Sequence, residues 1–171
     1  MNMFIKVLAG NLILNKGPQD FPHSMVLMRL CLMAYFLTGL PGLMSTTNFE
    51  SSVFAMALDT AVLVAFVYLC LQAFGKSERY VQTVIALAST GALFQLIVLP
   101  LLFNTQEAQQ ATDAMLSLSL LLLMFVSWHL AVYAHILRES FSIRLPAAMA
   151  LTICYVVITV VARKIIFPGL G

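Results

Sequence analysis

The chain has 171 residues, of which 61% are hydrophobic and 9% are charged, and its net charge is +2. Soluble proteins average roughly 45–50% apolar and 25% charged residues, so this composition excludes a water-soluble globular domain and indicates a membrane protein. The small net charge argues against nucleic acid as a partner, whereas the lipid bilayer is a partner that the composition itself implies. Apolar runs occupy most of the length, and we therefore expect residues 1–171 to form a single membrane domain.

The segment 1–16 is predicted to form a short amphipathic helix that rests at the membrane surface. Four of its apolar side chains recur at helical spacing: Phe4, Val7, Leu8 and Leu12. Gly10 and Asn11 interrupt the apolar stretch, which is therefore not the continuous hydrophobic region of a signal peptide. After this segment, Asp20 or Ser24 is suited to cap the next helix, because a short side-chain oxygen can accept a backbone N–H.

Five apolar runs are long enough to cross the hydrocarbon core of a bilayer, which takes about 20 helical residues. They cover about residues 25–43, 53–74, 80–103, 114–137 and 145–167. We therefore expect an all-α fold: a polytopic membrane helix bundle with five transmembrane helices, preceded by the short surface helix. The first run is the shortest and carries Arg29, a candidate lipid-headgroup contact that can also snorkel to water. Gly39 and Gly42 near its end are interpreted as caps and kinks.

The basic residues alternate between loops and predict an orientation. Six of them fall on one side of the predicted spans: Lys6, Lys16, Lys76, Arg79, Arg138 and Arg144. The loops 45–52 and 104–113 on the other side contain no Lys or Arg. Because cytoplasmic loops carry the excess of basic residues, we expect a cytoplasmic N-terminus and an exterior C-terminus; Arg163 and Lys164 are the exception to this pattern. A short chain without a retention signal favours a bacterial cytoplasmic (inner) membrane.

Polar side chains inside membrane spans are costly, and they normally face other helices or a wet cavity. Asp59, Gln95 and Arg163 all belong to the predicted exterior halves of their spans, and Thr159 shares a helix face with Arg163. We predict an Asp59–Arg163 ion pair near Gln95, and we treat these four residues as a candidate intramembrane polar cluster. The pair can pin helices together, mark a substrate or proton pathway, or simply reach water.

The second span carries two distinct faces. Ala57, Ala61 and Ala65 form a ridge of small residues, and Asp59 points to roughly the opposite side. If both faces contact protein, the second span is the central helix of the bundle. Gly91 in the third span likewise allows another helix to approach closely.

No catalytic motif is found: there is no H-E-x-x-H, no G-x-S-x-G and no phosphate-binding glycine loop. We therefore expect no catalytic residue and no enzymatic activity. The three cysteines are interpreted as packing residues: Cys31, Cys70 and Cys154. His129 and His135 project about 120° apart and cannot jointly bind a metal from one helix face. We expect no metal, haem or other cofactor, and instead an aromatic cluster of the histidines with Trp128 and Tyr133.

The arrangement of the spans resembles the Yip1 family of small membrane proteins, particularly its divergent bacterial members. The shared features are five spans, a cytoplasmic N-terminal segment, an exterior C-terminus and very short loops. The resemblance covers all five spans and lies in the plan rather than in a motif, since Gly17-Pro18-Gln19-Asp20 only faintly matches the acidic-glycine-proline signature of eukaryotic members. It implies an interaction or membrane-organising role without a catalytic site.

Three functions are compatible with these features. The first is a non-enzymatic interaction or membrane-organising protein that assembles with other membrane proteins or with copies of itself. The alternative is a small permease or channel subunit with a polar route near Asp59, Gln95 and Arg163. The third is an accessory subunit that anchors a redox complex through His129. A cavity that reaches the membrane midplane would favour the permease, and a dry, closed bundle would remove its basis.

Overall fold

The computed structural model describes residues 2–45, 47–108 and 112–166. Within these residues the fold is all-helical, with six α-helices and no strand: α1 Asn2–Leu12, α2 Met25–Met44, α3 Phe49–Ala73, α4 Tyr80–Ala108, α5 Thr112–Phe141 and α6 Leu145–Ile166. The last five helices are long and apolar enough to cross a membrane. The predicted membrane helix bundle with five transmembrane helices is therefore confirmed.

The helix ends differ from the predicted spans mainly around the fourth and fifth helices. α4 continues through Pro100 to Ala108, and α5 begins at Thr112, so much of the predicted loop 104–113 is helical. Gln106, Glu107 and Ala108 are good helix formers, which lets α4 continue beyond its apolar part. Residue 167, the last of the predicted fifth span, and residue 1 of the predicted surface helix lie outside the described residues.

Local signals fix where individual helices begin and end. Ser24 caps α2, because its Oγ accepts a hydrogen bond from the Leu27 backbone N–H at 3.3 Å. Gly75 ends α3 with a φ of +65°, a left-handed conformation that glycine adopts without steric cost. A short turn of 3₁₀-helix at Ser77–Arg79 then leads directly into α4.

α4 is the central helix of the bundle. All residues from 83 to 92 are buried, and α4 contacts α1, α2, α3 and α5. This stretch contains five small residues that let neighbouring helices approach from several sides: Ala86, Ala88, Ser89, Gly91 and Ala92.

The expectation that the second span is central was wrong. Ala57, Ala61 and Ala65 of α3, which we call the alanine ridge, are exposed on the surface of the bundle. Asp59 on the other side of the helix is buried. α3 therefore lies at the periphery and buries one face only.

Packing contacts between the five long helices form a ring in the order α2, α3, α6, α5 and α4, which contacts α2 again, and α4 also contacts α3. One end of this ring carries both basic turns. Arg79 Nη1 donates to the backbone carbonyl of Glu139 at 2.9 Å, and Lys76 Nζ donates to Ser142 Oγ at 3.0 Å. We call this the basic end. Large apolar side chains near it are fully buried and fill the ring: Leu63, Val67, Leu71, Ile85 and Ile136.

α1 packs along α4 and α5 and reaches far from the basic end. The side chain of Asn11 is fully buried, and its Nδ2 donates to Thr90 Oγ1 at 3.1 Å. Thr90 lies ten residues after the start of α4, which corresponds to about 15 Å along the helix axis. Trp128 Nε1 also donates to the carbonyl of Leu12, at 3.1 Å. The end of α1 therefore lies at about half the height of the membrane-spanning part of α4.

The chain then turns back towards the basic end. Leu14 has a φ of 61° at this turn, the Lys16 carbonyl lies 3.0 Å from His135 Nε2, and Gln82 Nε2 donates to the Phe21 carbonyl at 2.8 Å. Residues 2–21 thus form a re-entrant unit, which we call the N-terminal hairpin. The predicted amphipathic helix is present, and Asn11 gives it buried contacts deeper than the membrane surface.

Replacing Asn11 by Ala should loosen the N-terminal hairpin, because the variant leaves Thr90 without its buried donor. We expect a loss of about 1 kcal/mol in the free energy of unfolding and faster amide hydrogen exchange in residues 4–12. The exposed Asn15 provides a matched control, and Asn15→Ala should exchange like the wild type. Equal exchange in both variants would mean that the Asn11–Thr90 bond does not hold the hairpin.

Candidate functional site

An open cavity of about 410 Å³ lies inside the ring of helices, away from the basic end. Every long helix contributes to it, and its lining includes Tyr35, Asp59, Gln95, His129, Tyr133, Tyr155, Thr159 and Arg163. We call it the polar cavity. The structure thus brings all four residues of the candidate polar cluster to one place.

The ion pair expected from the sequence is formed in this cavity. Arg163 Nη2, in the last turn of α6, donates to Asp59 Oδ1 of α3 at 2.9 Å. The Asp59 side chain is 5% exposed, whereas that of Arg163 is 37% exposed. The hydroxyl of Tyr35 donates to the second carboxylate oxygen, Oδ2. The carboxylate therefore links α3 to both α2 and α6.

Gln95 lines the cavity without contacting the ion pair directly. Its Oε1 accepts a hydrogen bond from Thr38 Oγ1 at 2.6 Å, which connects α4 to α2. A Cβ atom at Gly39 would lie 2.5 Å from the Met56 Sδ and 3.0 Å from the Gln95 Nε2. A side chain at Gly39 would therefore have to displace the ends of Met56 and Gln95.

Gly39 and Gly42 are not helix caps, so that part of their interpretation was wrong. α2 continues past both residues to Met44, and both line the polar cavity. Because glycine has no side chain, both positions leave space between α2 and its neighbours.

Sequence reasoning missed Tyr35, which completes the coordination of Asp59. Tyr35 fits against Gly91, where a Cβ atom would lie 2.6 Å from both the Tyr35 ring and the Tyr133 hydroxyl. The Tyr155 hydroxyl lies close to the hydroxyls of Tyr35 and Thr159. A usable signal was present, since Tyr35 precedes Gly39 by four residues and so shares its helix face.

Three buried polar atoms of the cavity lining have no hydrogen bond of standard geometry within the described residues. They are Thr159 Oγ1, Arg163 Nε and His129 Nε2. Thr159 is only 8% exposed. Buried polar groups are nearly always paired, and each unpaired one costs about 1–3 kcal/mol. In an open cavity, such groups are available to hydrogen-bond water or a ligand.

His129 belongs to the aromatic cluster expected around Trp128. Its ring stacks on Phe94 with a centroid distance of 4.5 Å and meets Tyr133 edge-on at 4.3 Å. His135 lies apart from this cluster and contacts the N-terminal hairpin instead. Among the described residues, no group of three His, Cys, Asp or Glu side chains is placed to hold a metal ion.

Two other features are weaker candidates for a site. Arg29 is exposed on α2 and does not line the polar cavity. A second cavity, of about 470 Å³, lies between α5 and α6 near Leu14. None of the buried unpaired atoms found in the described residues belongs to its lining, so the polar cavity is the better candidate.

Breaking the ion pair from its two sides should give unequal losses of stability. Arg163→Gln leaves the buried carboxylate of Asp59 without its cation, and we expect a loss of roughly 3 kcal/mol in unfolding free energy. Asp59→Asn should cost less, because the half-exposed Arg163 can reach solvent. The double variant should lose less than the sum of the two. Unfolding of all variants in one detergent measures this, with Arg29→Gln as the control for loss of an exposed charge.

The opposite order, with Asp59→Asn the more destabilised variant, would contradict this description of the pair. It would mean that Arg163 without Asp59 destabilises the fold more than Asp59 without Arg163.

Comparison with protein-family models, curated proteins and solved structures gives no significant match. Five long apolar helices make the chain an integral membrane protein with an all-helical bundle.

Proposed function

We propose that this is a non-catalytic membrane protein that binds a small ligand in its polar cavity, as the binding part of a permease or of a ligand-responsive membrane subunit. The observation that carries the proposal is the coincidence of a buried ion pair and unpaired polar atoms in one cavity. Ionisable groups inside membrane spans commonly mark substrate pathways. A volume of about 410 Å³ also falls in the usual range of ligand pockets.

The difference in packing between the two ends of the bundle favours ligand entry from one side of the membrane. Near the basic end, Leu63, Val67 and Ile136 are fully buried and fill the ring. The polar cavity therefore does not continue as an open pore through the described residues. Transport would require a second conformation in which the helices near the basic end separate.

We also propose how the bundle is oriented and in which membrane it lies. The basic end carries both basic turns side by side, and the positive-inside rule places such an end in the cytoplasm. The polar cavity then lies in the outer half of the membrane, and the ligand enters from the exterior. We propose a bacterial cytoplasmic membrane as the location.

Cysteine labelling tests both the cavity and the orientation. In a background with Cys31, Cys70 and Cys154 replaced by Ala, Gln95→Cys should react with a membrane-impermeant thiosulfonate added to intact cells. Val67→Cys, in the fully buried core, is the control and should stay unmodified. Reaction of Gln95→Cys only in inside-out vesicles would contradict the orientation and support the cavity. No reaction from either side would contradict a water-accessible binding site.

A second candidate function is the interaction role, and the exposed alanine ridge favours it. Ala57, Ala61 and Ala65 lie on the outer surface of α3, where small residues let a helix of another protein approach closely. Assembly with a second copy of the chain, or with another membrane protein through this surface, is compatible with ligand binding inside the ring. A Yip1-like membrane-organising role would belong to this second function.

Mass measurement of the detergent-solubilised protein tests assembly through the alanine ridge. We expect a dimer that Ala61→Leu converts largely to monomer, because the larger side chain separates the helices. Ala150→Leu makes the same change at an exposed position of α6 and should leave the dimer intact. A monomeric wild type, or equal effects of the two variants, would contradict this surface as a self-association site.

A further inference from the structure

The acceptor groups of the polar cavity are already engaged by the protein. Both oxygens of Asp59 accept hydrogen bonds, one from Arg163 and one from Tyr35. Gln95 Oε1 accepts from Thr38. The negative charge of Asp59 is balanced by Arg163 and nearly closed off from solvent, with a side chain that is 5% exposed. The neutralised and nearly enclosed carboxylate therefore gives a cationic ligand little free charge to bind.

The unpaired groups of the cavity can supply donors. Arg163 Nε can only donate a hydrogen bond, and it is buried without a partner in the described part of the chain. The Thr159 hydroxyl lies close to the Tyr155 hydroxyl, has no hydrogen bond of standard geometry in the described residues and can donate, and His129 Nε2 donates in one of its two neutral tautomers. The free hydrogen-bonding capacity of the cavity is therefore suited to a ligand that presents acceptors.

We infer that the polar cavity binds an anionic oxygen group, a carboxylate or a phosphate, on the free N–H groups of Arg163 with help from Thr159. This inference rests on the proposed ligand-binding function and specifies the ligand class. A guanidinium carries five N–H donors in a planar fork that matches carboxylate and phosphate oxygens. Only its Nη2 is used by Asp59, so the pair orients Arg163 and leaves Nε for the ligand.

The rest of the lining indicates that the ligand also has an apolar part. Leu43, Met56, Val156 and Val160 line the same cavity. An anion with an apolar body would place its charge at Arg163 and its body against these side chains. Two sources supply such a molecule: a small organic anion from the aqueous phase and the headgroup of an anionic lipid.

A series of equal-sized probes separates charge from shape. The full-length protein in phosphatidylcholine nanodiscs is titrated with benzoate, benzamide and benzylamine by calorimetry. We expect benzoate to bind at least tenfold more tightly than benzamide, and benzylamine not to bind. Arg163→Lys should weaken benzoate binding tenfold or more, because it loses the planar fork. Arg29→Gln, which removes an arginine outside the cavity, should leave the affinity unchanged.

A second variant keeps the test decisive if Arg163→Lys does not fold. Thr159→Val conserves shape and removes a hydroxyl that lies close to that of Tyr155 and has no hydrogen bond of standard geometry in the described structure, so the variant should fold. We expect it to weaken benzoate binding several-fold. Unchanged benzoate affinity in a folded Thr159→Val variant would overturn the role assigned to Thr159 and to this face of the cavity.

The lipid composition distinguishes the two sources of the anion. If phosphatidylglycerol in the nanodisc lowers benzoate affinity, and if the purified protein retains that lipid unless Arg163 is replaced, the ligand is a lipid headgroup. Unchanged benzoate affinity in such nanodiscs identifies a soluble anion. Both results support the inference.

Two results would overturn it. Equal or tighter binding of benzamide or benzylamine would exclude an anion-selective site while leaving ligand binding in the cavity intact. Absence of binding by all three probes would exclude the inferred ligand class. In that case a reactive Gln95→Cys would still support the proposed cavity function, and an unreactive one would remove it as well.

Discussion

The fold depends on one buried carboxylate that must be hydrogen-bonded inside an apolar bundle. Transfer of an unpaired carboxylate into such surroundings costs several kcal/mol even after relaxation, so Asp59 requires donors from neighbouring helices. Arg163 and Tyr35 supply them from opposite sides. Because Asp59 is bonded by both donors, α2 and α6 both lie next to α3. They do not need to pack against each other. The polar cavity lies beside these interactions, with Tyr35, Asp59 and Arg163 in its lining.

The centre of the bundle is organised differently, by small side chains instead of charge. Gly91 leaves room for the ring of Tyr35 and the hydroxyl of Tyr133, which belong to different helices, and the buried stretch 83–92 of α4 lets neighbours approach from several sides. The bundle is therefore closely packed towards the basic end and contains the polar cavity towards the opposite end.

Local properties explain what could be predicted from the sequence. Span length and hydropathy are set within about 20 consecutive residues, and the five spans followed from them. The Asp59–Arg163 pair could be predicted because loop charges assigned similar depths to both groups. The choice of Tyr35 as second donor, the packing role of Gly39 and the central position of α4 depend on which helices become neighbours. Which helices become neighbours results from the summed packing of distant segments, so no local pattern in the sequence revealed it.

The N-terminal hairpin has a consequence for the order in which the chain assembles. Asn11, Leu12 and Lys16 find their partners at Thr90, Trp128 and His135, which are 79 to 119 residues later in the chain. During synthesis, the hairpin therefore leaves the ribosome long before its docking surface exists. It can dock only after α4 and α5 have been inserted and paired, so it reaches its native position later than the two helices that bind it.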